Sequence, residues 1–297
     1  MKKKRPSDPW TQTIKRGFAS LFVCVFVLVL PFLFIKQWRA DLGLLETNKA
    51  TPLPAFIQRP ADTDQPTKIF EEPLISITFD DGWETDYSVA APLLMKDGIR
   101  STHYIVTGLL GDPAYMSLDQ VKALKGSGQQ VACHTVTHPD LTKIDATQLN
   151  NELEGCRKFF LQEDLGDTKD FAAPYGHTNQ AATAAINHFF RSARNTDGDL
   201  SNDVTDADVN LPSNFNVHNV IGVTVRSTTT IAELQQAVQY ATEHKAWLVL
   251  TYHQAEEEGS KFSLSSRSLK KQLDYLSSTS IRIVTVGKVM DDLERSN

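Results

Sequence analysis

The sequence predicts an α/β fold in which about seven parallel strands form a barrel or barrel-like sheet covered by helices. From residue 74 to the C-terminus, short apolar runs alternate with helical patterns, as in strand–helix–strand units. About seven such units fit into roughly 220 residues, slightly fewer than the ~250 of a typical (β/α) barrel. Residues 40–73 show no sustained period and are rich in Pro, Thr and Asp.

The apolar runs predict the strands in chain order: LISITF (74–79), THYIVTG (102–108), QQVAC (129–133), DFAAP (170–174), FRSAR (190–194), AWLVLTY (246–252) and IRIVTV (281–286). Helical patterns lie between them: VAAPLLMKDG (89–98), SLDQVKALKGSG (117–128), ATQLNNELEGCRKFF (146–160), TTIAELQQAVQYATEHK (229–245) and SLKKQLDYLSS (268–278). Gly98 is expected to close the first helix and Ser117 to cap the second. Residues 195–225 interrupt the alternation as a long irregular segment.

An apolar run at residues 18–35 carries no charge over 18 residues, near the lower limit for a membrane-spanning helix. More basic residues precede it than follow it, which favours a cytoplasmic N-terminus. We therefore expect a cytoplasmic tail (1–17), a single transmembrane anchor (18–35), a linker (36–73) and an extracytoplasmic domain (74–297). A cleaved signal peptide, which would make the protein secreted, and a buried core helix are the alternatives.

Charge is distributed unevenly along the chain. Of its 30 basic and 36 acidic residues, residues 1–39 hold eight basic and one acidic, so the remainder has 22 and 35. An acidic body argues against nucleic-acid binding. The sequence does not indicate an oligomeric state. Cys133 and Cys156 could form a bridge in an exported domain, but two scattered cysteines are no disulfide framework, and buried thiols are the expectation.

Several polar groups directly follow predicted strands, where a parallel barrel gathers its chemistry. Asp80 and Asp81 follow the first strand, and His134 and His138 follow the third. Pro174 and Tyr175 follow DFAA, and His253 follows AWLVLTY. Two His four residues apart lie on one face of a helical turn, and a carboxylate from another strand would complete an open metal site. The segment HTVTH lacks the Glu of H-E-x-x-H, which disfavours a zincin-type protease.

Four segments together resemble the successive motifs of the polysaccharide deacetylases, the NodB-homology group or carbohydrate esterase family 4. They are TFDDG (78–82), HTVTHP (134–139), APYG (173–176) and the late strand that ends at His253. The resemblance covers residues 74–290 and implies a deformed barrel of that family's type, with residues 74–297 as the catalytic domain. It implies that Asp81, His134 and His138 bind a divalent metal, usually zinc, with cobalt, nickel, iron or manganese as alternatives.

The same resemblance implies that Asp80 is the general base and His253 the general acid. The backbone N–H of Tyr175, which follows Pro174, would stabilise the oxyanion. Trp83 is a candidate wall of the substrate groove or a packing residue. The expected activity is removal of acetyl groups, N-acetyl before O-acetyl, from an extracytoplasmic polysaccharide such as peptidoglycan, chitin-like oligomers or poly-N-acetylglucosamine.

Two features depart from the family pattern. Members often carry Arg two residues before the Pro-Tyr pair, where this chain has Ala172, and no Asp-Trp motif follows the fifth strand. Arg194 is a candidate substitute that would orient Asp80 from the next strand; the alternative is a solvated surface arginine. These departures keep open a second hypothesis, a catalytically impaired carbohydrate-binding homologue on the same scaffold.

Overall fold

A computed structural model describes residues 52–53, 66–255 and 260–296. It contains eight strands: β1 (Leu74–Phe79), β2 (Thr102–Ile105), β3 (Gln130–Cys133), β4 (Asp170–Ala172), β5 (Ser192–Arg194), β6 (Val223–Thr224), β7 (Trp247–Tyr252) and β8 (Arg282–Ile283). The α-helices are α1 (Ala91–Lys96), α2 (Leu118–Gly126), α3 (Ala146–Gln162), α4 (Gln180–Phe189), α5 (Ile231–His244), α6 (Ser266–Ser278) and α7 (Val286–Ser296). Shorter helical turns span Asp86–Ala90, Thr107–Leu109, Pro174–Gly176 and Asp206–Asp208.

All the strand pairs are parallel, and the sheet runs in the order β5-β4-β3-β2-β1-β7-β6, with β8 also paired to β1. Isolated bridges from Arg194 to Val220 and from Gly198 to Val223 bring the two ends of this path together. The sheet is therefore strongly curled, and the predicted parallel α/β architecture with about seven strands is confirmed.

The apolar core lies mainly between the sheet and its helices, in two large clusters of buried aliphatic and aromatic side chains. Inside the curl the packing differs. A small cluster of Tyr104, Ala132 and Ala172 lies there, and the hydroxyls of Thr78 and Thr251 approach within 3.2 Å. A polar interior of this kind can accommodate charged side chains near the carboxyl ends of the strands.

The structure departs from the predicted elements where the local pattern is short or ambiguous. It places α4 in an Ala-rich stretch for which no helix was predicted, and β6, of two residues, inside the segment 195–225. The predicted strand 281–286 covers only β8, because α7 begins at Val286. An apolar run of six residues does not by itself distinguish a strand from the first turn of a buried helix. Ser117 caps α2 as expected, through a capping box with Gln120.

Part of the predicted linker packs with the body. The backbone N–H and the hydroxyl of Thr67 donate to Asp292 Oδ2 at 2.6 and 2.9 Å, and Arg282 donates to Glu72 at 2.8 Å. Within the described ranges, no helix is both long and apolar enough to cross a membrane. The predicted tail and anchor, residues 1–35, lie outside those ranges.

The two cysteines of the body are bonded to each other. Cys133, the last residue of β3, forms a disulfide with Cys156 on α3, and their Cα atoms lie 6.2 Å apart. Both side chains are fully buried. The prediction of two buried thiols is therefore right about the burial and wrong about the thiols, because spacing along the chain does not reveal that the end of a strand faces the helix that follows it.

A buried histidine makes stability dependent on pH. The ring of His103 stacks on Phe79 at 5.0 Å, and its Nε2 lies 2.9 Å from the hydroxyl of Ser101. That hydroxyl also lies 2.9 Å from Gln129 Oε1, which can only accept from it. The ring therefore donates through Nε2, and Nδ1 is left buried without a partner in the described residues. Burial lowers the pKa of His103 from 6.5 to about 3.

Because the unfolded chain binds this proton first, acid should destabilise the fold. We expect the free energy of unfolding to fall by about 1.4 kcal/mol per pH unit from this group, from pH 6.5 down to about pH 3. Urea titrations of the chelator-treated protein at several pH values measure this slope. His103→Phe should reduce this slope by about 1.4 kcal/mol per pH unit, because one titrating group is removed. His188→Gln, at an exposed site, should leave the slope unchanged. Equal slopes in the parent protein and His103→Phe would contradict the expectation.

Candidate active site

The carboxyl ends of five strands meet at one mouth of the curled sheet and carry the residues singled out in the sequence. Asp80 and Asp81 follow β1, and His134 follows β3. The turn Pro174–Gly176 follows β4, Arg194 ends β5, and His253 follows β7. In the register of β1 with β7, Phe79 lies opposite Tyr252. This register makes Asp80 and His253 neighbours at the mouth.

Asp81, His134 and His138 present their ligand atoms to one point. Asp81 Oδ1 lies 3.5 Å from His134 Nε2 and 3.2 Å from His138 Nε2, and one donor atom from each residue falls within 4.8 Å of the others. Two imidazole nitrogens and one carboxylate form a donor set suited to zinc and neighbouring divalent metals.

The protonation state of His134 supports this fit. Its Nδ1 lies 2.8 Å from the carbonyl oxygen of Ala172, which can only accept a hydrogen bond. The ring therefore carries its proton on Nδ1 and turns an unprotonated Nε2 towards Asp81, the tautomer that a metal ligand needs. Burial alone would raise the pKa of Asp81, but His138, together with His134 and His253 when their rings are protonated, favours the ionised carboxylate, and the pKa lies well below its usual range.

Backbone strain is concentrated at this mouth. Asp81, Thr135, His138 and Tyr175 are all non-glycine residues with φ between 60° and 76°. Left-handed conformations of this kind cost about 1–2 kcal/mol per residue and tend to cluster at functional sites. His134 and His138 converge without a helical turn, since residues 134–138 form a loop.

Glu152 on α3 holds that loop through hydrogen bonds to its backbone and to one side chain. One of its carboxylate oxygens accepts from the backbone N–H groups of Val136 and Thr137, both at 2.8 Å. The other accepts from the hydroxyl of Thr137 at 2.6 Å. No sequence signal identified Glu152, because it occupies an ordinary position in an amphipathic helix.

Asp80 and Arg194 form a buried ion pair. Their exposed fractions are 3% and 1%, and Arg194 Nη2 donates to both oxygens of Asp80, at 2.5 and 2.6 Å. Arg194 is therefore not a solvated surface residue. Arg194 supplies a cation to Asp80 from the end of β5. Ala172, on the adjacent strand β4, is the register partner of Arg194.

The segment 195–225 packs against Arg194. The guanidinium of Arg194 donates to the carbonyl oxygen of Asn195, in this segment, at 3.0 Å. From β2, the ring centroid of Tyr104 lies 5.0 Å from the guanidinium. Gly222 passes so close that a Cβ there would lie 2.6 Å from Arg194 Cδ. Only glycine leaves room for this side chain, so the irregular segment has a structural role that its composition did not reveal.

His253 packs against an aromatic side chain. Its ring stacks on Phe262 with centroids 5.2 Å apart, and its Nδ1 is buried with no hydrogen-bond partner in the described residues. Burial lowers the pKa of His253, which Asp80 and Asp81 partly oppose. Asp199 does not supply the missing partner, because it pairs with Arg226 at 2.8 Å. Among the residues that the structure describes, no carboxylate replaces the absent Asp-Trp motif at this histidine.

Two aromatic side chains flank the metal-ligand set. Tyr175 is 58% exposed, and its ring meets that of His138 at 4.7 Å. Within the described part of the chain, its N–H makes no backbone hydrogen bond. Pro174, which is buried, starts this turn. Trp83 contacts Asp81 of the set and stacks on Tyr115 with ring centroids 4.5 Å apart.

Comparison with known proteins adds a family match. Residues 67–189 match the family described as polysaccharide deacetylase. YxkH of Bacillus subtilis (strain 168), which bears the name of a polysaccharide deacetylase, is 27% identical over 153 residues, covering 50% of this chain and 53% of that protein. A bifunctional xylanase/deacetylase of Pseudobutyrivibrio xylanivorans is 30% identical over 114 residues, covering 38% of this chain and 18% of that protein. The chain thus spans about half or less of the length of these curated relatives.

Solved structures share the fold at low sequence identity. The Xyl-CE4 domain of a multidomain xylanase from the hindgut metagenome of Trinervitermes trinervoides matches with a TM-score of 0.54 and 20% identity, covering 75% of this chain and 92% of that chain. A mutant of the peptidoglycan deacetylase PdaC from Bacillus subtilis matches with a TM-score of 0.52 and 13% identity, covering 76% and 93%. At these identities the likeness establishes the fold.

Proposed function

The chain belongs to the polysaccharide deacetylase family, the NodB-homology group or carbohydrate esterase family 4, and from this premise we propose that it is a metal-dependent hydrolase of acetyl groups on a polysaccharide. The observation that carries the proposal is that a metal-ligand set and a buried ion pair lie together at one mouth of the sheet. Asp81, His134 and His138 form a metal-ligand set, and Asp80 beside them is held by a buried arginine.

Asp81, His134 and His138 would hold the metal through one carboxylate oxygen and two imidazole nitrogens. A bound divalent ion would polarise the acetyl carbonyl and make water a stronger nucleophile at neutral pH. Zinc is the expected metal, and cobalt, nickel, iron and manganese suit the same donors.

The chain's own residues would manage the protons. Asp80 would take one proton from the attacking water as the new C–O bond forms at the acetyl carbon. Arg194 would keep that carboxylate in one orientation. The N–H of Tyr175 would donate to the oxyanion. As the C–N bond breaks, His253 would protonate the leaving nitrogen, and its lowered pKa would make its protonated form a strong donor. The products are acetate and a free amine.

The proposed substrate is an N-acetylated polymer of the cell envelope, such as peptidoglycan, chitin-like oligomers or poly-N-acetylglucosamine, with O-acetyl groups as a second class. Two observations support a site outside the cytoplasm. An uncharged apolar run at 18–35 follows a basic tail, and the body contains a disulfide, a bond that persists mainly in oxidising compartments. We propose that the run anchors the protein with its catalytic domain extracytoplasmic.

Release of acetate tests the proposed activity. Purified protein is expected to release acetate from N-acetylated chito-oligosaccharides or peptidoglycan. A chelator should abolish the release, and zinc or cobalt should restore it, because the ligand set supplies no activity without an ion. Release that a chelator leaves unchanged would contradict metal dependence. If no acetylated polymer yields acetate while the sugars still bind, the impaired carbohydrate-binding homologue becomes the better description.

A further inference from the structure

The two oxygens of the Asp81 carboxylate face different partners. Oδ1 points to the histidines of the ligand set, 3.2 Å from His138 Nε2 and 3.5 Å from His134 Nε2. Oδ2 accepts a hydrogen bond from the indole Nε1 of Trp83 at 3.0 Å. The indole N–H can only donate, so this contact distinguishes the two oxygens and leaves Oδ1 as the atom that faces the metal position.

The backbone of Asp81 does not by itself favour this arrangement. Its φ of 76° lies in the left-handed region, which a residue with a Cβ adopts at a cost. A strained backbone of this kind persists only when contacts from the surrounding structure hold the residue in place. Trp83 is two residues away and contacts the carboxylate oxygen that the histidines do not.

The indole is itself firmly held. Its ring stacks on Tyr115 with centroids 4.5 Å apart and planes 20° apart, and the two residues form an antiparallel bridge. Backbone hydrogen bonds on either side join Glu84 to Ala114 and Met116 to Gly82, both at 2.9 Å. The position of the Nε1–H is thus fixed by the stacking and by the backbone hydrogen bonds between the two segments.

We infer that Trp83 is a positioning residue for the metal ligand Asp81, acting through its indole N–H. The inference rests on the proposed metal-dependent function. Groups that orient metal ligands change metal affinity about 10–100-fold when they are removed. A wall that only packs against Tyr115 or a sugar would have no such effect on metal affinity.

Metal titration of chelator-treated protein tests this inference without relying on activity. Trp83→Phe keeps an aromatic ring against Tyr115 and removes the N–H, so we expect its Kd for zinc to rise about 10–100-fold. The absorption bands of the cobalt-loaded variant should also change, because they report the ligand geometry. Trp247→Phe is the matched control, since Trp247 Nε1 donates to Ser76 at 3.0 Å at the opposite end of β7.

The control should keep the parent Kd and cobalt spectrum. An unchanged Kd in Trp83→Phe, or an equal rise in both variants, would overturn the role of the indole N–H while leaving the proposed function in place. If the parent protein binds neither zinc nor cobalt, the proposed metal-dependent function fails, and this inference fails with it.

Discussion

Replacing Asp80 by Asn is expected to lower kcat about 10²–10⁴-fold while the protein still binds its metal. An amide cannot accept the proton of the attacking water, and general-base catalysis contributes rate factors of this size. Asp80 lies outside the ligand set, which consists of Asp81, His134 and His138. Kinetics of acetate release and metal analysis of the purified variant measure the two effects separately.

His134→Ala is the contrasting variant, and we expect it to lose both metal and activity. Its Nε2 is one of the three donor groups, so alanine leaves only Asp81 and His138. If Asp80→Asn lost its metal as completely as His134→Ala, Asp80 would be a ligand rather than the base. If it kept the parent rate, the assigned base would be wrong.

Arg194→Ala should impair both stability and catalysis. The pair with Asp80 is buried on both sides, and removing one partner of such a pair typically costs about 3–5 kcal/mol because a charge is left without compensation. A base that loses its orientation by about 1 Å can lose on the order of 10²-fold in rate. We therefore expect kcat to fall roughly 10²-fold with a smaller change in KM.

Two further substitutions separate orientation from general destabilisation. Arg194→Lys keeps the charge without the planar guanidinium and should lie between the parent and Arg194→Ala in kcat. Arg226→Ala removes a partly exposed pair with Asp199 and should cost at most about 1 kcal/mol with an unchanged kcat. If Arg194→Ala kept the parent kcat at a temperature below its unfolding midpoint, Arg194 would not be the residue that orients Asp80.

The sequence was most informative at positions where a polar residue directly follows a predicted strand. Asp80, Asp81, His134 and His253 each follow a clear apolar run, and the geometry brings them to one mouth. It was less informative about what supports them. Glu152 holds the histidine loop and Gly222 makes room for Arg194, but both contacts join residues far apart in the chain. Local periodicity carries no information of that kind.

The same limit applies to the fold. The strands β1 and β7 were predicted to within a residue, because their six-residue apolar runs are rich in β-branched and aromatic side chains, which favour strands. The two-residue β6 was missed because it is too short to show a period. The helix α7 was missed although Val286, Val289 and Met290 recur at helical spacing, because its first residue also ends the apolar run 281–286 that was assigned to a strand. The bond between Cys133 and Cys156 depends on the facing of β3 and α3, which only the packed structure defines.

The placement of Arg194 has a consequence for how such chains are recognised. In a curled parallel sheet the strand ends converge on one axis, so a charge at the centre can be neutralised from more than one strand. Here the arginine stands on β5, across the register from the alanine on β4. The family match ends at residue 189, before it. A survey that scored only the position of Ala172 would find no cation for Asp80, although Arg194 supplies one from the adjacent strand.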